Sequence, residues 1–130
     1  YDAAEKEMIE YLKRIDDKME SYYPKFYPRA YTSLGTLYMM KKDYDKAILY
    51  LNRARDYIKE EKHPSRWAVW GVVRLGNIYD LMGERNKALS FYKEALSYND
   101  QWGFKDYIEQ YLKKPFLLTV NTIATQLPPP

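Results

Sequence analysis

The chain has 130 residues, 46% of them hydrophobic and 17% aromatic, enough for one domain with its own core rather than a disordered chain. Its 21 lysines and arginines against 18 acidic residues leave a net charge of +3, too small to provide the concentrated basic surface that nucleic-acid binding needs. The absence of cysteine excludes disulfides, thiolate metal sites and cysteine nucleophiles, and no apolar run approaches the roughly 20 residues that span a bilayer.

The opening residue is Tyr1 rather than methionine, so an excerpt or a processed form is expected, and the compartment is left open, with the cytoplasm as default. Residues 3–23 place Ala4, Met8, Leu12, Ile15, Met19 and Tyr22 at helical spacing, predicting a long amphipathic helix. Glu5, Glu7, Glu10, Asp16, Asp17 and Glu20 lie among lysines along it, a solvated face rather than a catalytic dyad. Pro24 and Pro28 break the pattern, and Pro28 is placed to open the next helix.

Two helical units follow, at 28–62 and 65–99. Gly35 and Gly76, Ala47 and Ala88, and Tyr57 and Tyr98 are each 41 positions apart, without a gap. In the first unit Tyr31, Leu34, Gly35 and Tyr38 line one helix and Tyr44, Ala47, Ile48, Leu51, Ala54 and Ile58 the next. In the second, Val72, Leu75, Gly76 and Tyr79 are followed by Ala88, Tyr92 and Ala95. The glycines and alanines let antiparallel helices approach closely, while Tyr38 and Tyr79 fill the space beside them. Gly83 suits a left-handed position closing the helix before the second turn; Lys42, its counterpart, lacks that freedom.

This arrangement of Leu34, Gly35, Tyr38, Ala47, Leu51 and Ala54, repeated as Leu75, Gly76, Tyr79, Ala88, Tyr92 and Ala95, resembles the tetratricopeptide repeat over roughly residues 28–99. Tyr31 and Val72 replace the family's first-helix tryptophan, Lys59 and Asp100 its closing proline, and the spacing exceeds the common ~34 residues. His63 and Pro64 in the junction are similar to the long-repeat subgroup typified by kinesin light chains. The resemblance implies an all-α fold of antiparallel helix hairpins stacked in a short right-handed superhelix.

Phe104, Tyr107, Ile108, Tyr111 and Leu112 then form an apolar stripe ended by Lys113, Lys114 and Pro115. A third repeat is rejected, because the same offset puts Phe116 and Leu117 at the Leu-Gly positions and Pro129 at the alanine. Helix 104–114 is expected to cap the last repeat, completing a single domain over 1–115. The tail 116–130, ending in Pro128, Pro129 and Pro130, favours an extended form; it is expected to lie against an apolar groove or a neighbouring chain, or to be vector-derived.

No phosphate-binding glycine loop or pair of metal-binding histidines is present, so neither catalysis nor a cofactor is expected. His63, the sole histidine, reads as a cap or surface residue, and Lys41, Lys42, Lys113 and Lys114 as ordinary surface. The resemblance implies a concave face lined by first helices, with Arg29, Thr32, Thr36, Met39 and Met40 exposed from the first unit and Trp70, Val73, Arg74, Asn77 and Asp80 from the second. Thr32 and Thr36 replace the residues that clamp a terminal carboxylate elsewhere in the family. Trp70, Val73 and the two methionines instead suit an apolar or extended peptide, with Asn77 bonding its backbone. A protein or peptide partner is therefore expected. The alternatives are self-association through exposed aromatic surface or the tail, since two repeats leave apolar faces for neighbours, and an accessory role in a larger enzyme or sensor.

Overall fold

The structure, a computed structural model, describes residues 3, 4, 6, 7, 9, 10, 26–60, 65–98 and 102–118. The fold is all-α, with no strand among the described residues. Helices α1 (Phe26–Met40) and α2 (Tyr44–Glu60) form one hairpin, α3 (Arg66–Leu81) and α4 (Arg85–Ser97) a second, and α5 (Lys105–Lys113) follows. The second hairpin stacks on the first through contacts of α3 with both α1 and α2, while α5 packs on α4. Residues 3, 4, 6, 7, 9 and 10 are helical, and Ile9 packs against the core. The remainder of the expected 3–23 helix, His63 and Pro64, and the tail from residue 119 lie outside the described residues.

The two hairpin turns are built alike. The Asp43 amide donates to the Tyr38 carbonyl at 2.9 Å and the Glu84 amide to the Tyr79 carbonyl at 2.8 Å, the six-to-one bond of a Schellman closure. The closure requires a left-handed residue, supplied by Gly83 at φ 78° in the second turn and by Lys42 at φ 64° in the first. Ser65 opens α3, its Oγ accepting from the Ala68 amide at 3.1 Å, which satisfies one of the donors a helix start leaves unpaired.

Close approach within each hairpin follows from the glycines. A β-carbon on Gly35 would stand 2.5 Å from Leu51 Cγ, and one on Gly76 2.7 Å from Tyr92 Cδ1, too near for any side chain without displacing a core residue. The tyrosine excess also has a repeating cause. Tyr38 stacks on Tyr50 with centroids 5.6 Å apart, and Tyr79 on Phe91 at 5.4 Å. Lys46 and Lys87 close over the rings of Tyr38 and Tyr79, contributing both cation–π attraction and apolar cover from their stems. All these pairs are again 41 positions apart, so the repeat extends from backbone to side-chain contacts.

Candidate functional site

The most polar part of the interior is the face of α3 that carries Trp70, Arg74 and Asn77. Spaced i, i+4 and i+7, these residues share one side of the helix. They lead to Asp80 in the last turn, whose side chain is fully buried. Its carboxylate collects three different donors. The Tyr92 hydroxyl donates to Oδ2 at 2.6 Å, Arg85 Nη1 reaches both oxygens at 3.0 and 2.9 Å, and the main-chain N–H of Phe116 donates to Oδ2 at 3.0 Å. Charge-assisted bonds of this kind offset the desolvation of a buried carboxylate.

Two chains of contact lead away from Asp80. Asn77 Nδ2 donates to the Tyr92 oxygen at 3.0 Å, and Arg74 Nη1 donates to Asn77 Oδ1 at 3.0 Å. Arg85 Nη2 donates to the carbonyls of Tyr111 and Leu112 at 2.7 and 3.0 Å, satisfying orphan carbonyls at the end of α5. Burial pushes Arg74 down to about 10 and holds the Tyr92 phenol well above its usual range, the bond to Asp80 raising Tyr92 further. The Arg74 guanidinium lies 5.1 Å from the Trp70 ring centroid and 5.8 Å from that of Phe116, so aromatic faces replace part of its hydration.

Trp70 is covered by Phe104 and by Tyr107 of α5, while the part of the face around Arg74 and Asp80 is occupied by the segment after α5. Lys114 leaves the helix in an extended conformation, as a residue before proline favours. Phe116 is 5% exposed and joins the buried cluster that contains Met39, Met40, Leu75 and Ile78, its ring at right angles to that of Tyr111 with centroids 5.5 Å apart. Pro115 and Leu117 on either side of it are exposed.

The open concave face expected for Arg29, Thr32, Thr36, Met39, Met40, Trp70, Val73, Arg74, Asn77 and Asp80 is therefore corrected. All except Arg29 have buried side chains. Thr32 and Thr36 are enclosed where α1 meets α3, their hydroxyls donating to the Trp67 and Thr32 carbonyls at 2.8 Å each. Val73 and Trp70 share a cluster with Phe104 and Ile108, while Met39 and Met40 pack with Phe116. Asn77 has both ends of its amide engaged within the chain. Arg29 stands exposed with its guanidinium 5.1 Å from the Trp67 ring centroid.

Sequence reasoning missed Arg85, Tyr111 and Phe116. The signal lay in departures from the repeat. Arg74, Asn77, Asp80, Arg85 and Tyr92 stand where the first unit has Ser33, Thr36, Met39, Tyr44 and Leu51. The scaffold is duplicated, but the polar network belongs to the second unit alone. Arg85 also sits in the first turn of α4, where the helix dipole disfavours a cation, and Asp80 explains its presence.

A separate cleft of about 390 Å³ lies beside Val69, Ala95, Phe104 and Ile108. Its polar members are engaged elsewhere, the Tyr98 hydroxyl donating to Glu94 at 3.0 Å and Lys105 pairing with Glu109 at 4.0 Å. Among the described residues no cluster of three metal-ligating side chains occurs, and no helix is long and apolar enough to cross a membrane.

The family model described as tetratricopeptide repeat matches residues 26–100, more than half of the chain. The chain belongs to the tetratricopeptide-repeat family. Members of this family are generally non-catalytic protein–protein interaction modules. No curated protein and no solved structure matches the chain. In tetratricopeptide-repeat terms, the matched residues cover both hairpins, while α5 and the segment lying on α3 come after them.

Proposed function

We propose that this tetratricopeptide-repeat protein is a non-catalytic module that binds a segment of a partner protein against the α3 face bearing Arg74, Asn77 and Asp80. One observation carries the reading: that face already holds a non-helical stretch of chain by a main-chain hydrogen bond to Asp80 and a lodged aromatic side chain. Peptide recognition commonly divides its labour in this way, main-chain bonds giving affinity and side-chain pockets giving specificity. Arg74, Asn77, Tyr92 and Arg85 are linked by hydrogen bonds around a fixed carboxylate, an arrangement suited to holding a chain rather than transforming one.

The test is to select binders from a random peptide library and map them by amide chemical shifts on the labelled chain. The expected perturbations centre on Arg74, Asn77, Ile78 and Asp80. Perturbations centred instead on the outer surface of α2, around the exposed Leu49 and Arg53, would contradict the assignment.

A further inference from the structure

We propose that the partner segment carries an aromatic residue directly after a proline, and that residues 114–118 hold its place in cis, so that the partner binds by displacing them. This rests on the α3 face being the binding face. It adds the chemistry of the occupant and a competition built into the chain.

Three features define the occupant. Asp80 is buried and takes one of its donors from the Phe116 main chain; an occupant without an N–H there leaves a desolvated carboxylate short of a partner, which is unfavourable. The side chain beside that N–H lies at right angles to the Tyr111 ring, beside the guanidinium of Arg74, and belongs to the same apolar cluster as Met39, Met40, Leu75 and Ile78. A flat ring satisfies all of these together, because its face attracts the cation while its body fills the apolar space. The preceding proline fixes the backbone angle at which the chain turns in.

The same structure shows why the cis segment can leave. Phe116 is its one buried side chain, Leu118 is half-buried against the same cluster, and Leu117 is 69% exposed. Arg85 holds the last carbonyls of α5 independently of Phe116. Residues 115–118 can therefore peel away at Lys114 while α5 stays in place and Asp80 stays paired with Arg85 and Tyr92.

The probe is a fluorescein-labelled hexapeptide of residues 113–118, Lys-Lys-Pro-Phe-Leu-Leu, titrated by anisotropy against the full chain and its Phe116→Ala variant, with retention of helix checked by circular dichroism. The variant is expected to bind roughly ten-fold or more tightly than the parent, as follows when about nine-tenths of the parent is occupied in cis. A peptide with alanine in place of phenylalanine is expected not to bind. Phe116→Leu, which keeps an apolar side chain, is expected to fall between parent and Phe116→Ala and serves if the alanine variant is unstable. Equal affinity of all chains would overturn the competition while leaving the binding face intact. No binding to any folded variant would overturn the binding face itself. A parent chain that dimerises at micromolar concentration by exchanging residues 113–118 would replace the separate partner with a second copy.

Discussion

Lys42 adopts a left-handed backbone at φ 64° where the second turn has Gly83. For a residue with a β-carbon this conformation is unfavourable by roughly 1–2 kcal/mol, partly offset by the greater freedom glycine has when unfolded. Lys42→Gly is therefore expected to stabilise the chain by about 0.5–1 kcal/mol, read from urea unfolding; a loss of stability would contradict the closure described for the first turn. The tyrosines predict an alkaline response. Burial raises Tyr92, Tyr98 and Tyr111, with bonds to Asp80 and Glu94 adding to the first two, and Tyr98 is pushed up to about 12. Unfolded tyrosine titrates near ~10, so above that pH the unfolded chain has released protons the folded chain keeps, and their stabilisation declines as pH rises. Arg74, lowered to about 10 by burial, acts in the opposite sense over the same range. From the upward shifts of these tyrosines, the urea midpoint is expected to fall between pH 8 and pH 10.5, and less steeply in Tyr92→Phe. A midpoint that rises over this interval would contradict the assignment.

At the scale of elements, stacking of the two hairpins is pinned outside the apolar core. Arg55 on α2 forms a two-pronged pair with Glu94 on α4, its Nε donating to Oε2 at 2.9 Å and its Nη2 to Oε1, while the Tyr98 hydroxyl also donates to Glu94. Both partners are partly exposed, so solvent screening limits the gain. A double-mutant cycle of Arg55→Ala and Glu94→Ala is expected to give a coupling of about 1 kcal/mol; a coupling indistinguishable from zero would show that packing alone orients the hairpins. The hairpins were legible in the sequence because each depends on local pattern: Gly35 and Gly76 mark close approach, Ala47 and Ala88 face them, and Gly83 closes a helix. The stripe ending at Pro115 likewise foretold α5. The Arg55–Glu94 pair was not legible, since nothing in local spacing brings residues 39 positions apart together.

Across the whole molecule, a duplicated scaffold carries a network that only one copy possesses. The sequence pattern suggested that Trp70, Arg74, Asn77 and Asp80 stand exposed, whereas their side chains are buried. Periodicity shows that Trp70, Arg74 and Asn77 share a side of α3; it does not show that α5 covers Trp70 or that Phe116 returns to Arg74 and Asp80. Phe116 was legible only as a failure to continue the repeat, because its role depends on a contact with Asp80, 36 positions earlier. In the chain alone, residues 114–118 occupy the α3 face around Arg74 and Asp80. Amide hydrogen exchange of Phe116 tests this most directly. Its N–H is expected to exchange at least about ten-fold more slowly than in the free peptide of residues 113–118, since the Asp80 bond must open first. Exchange at the free-peptide rate, with the α3 amides still protected, would mean that the face stands open and the cis competition does not exist.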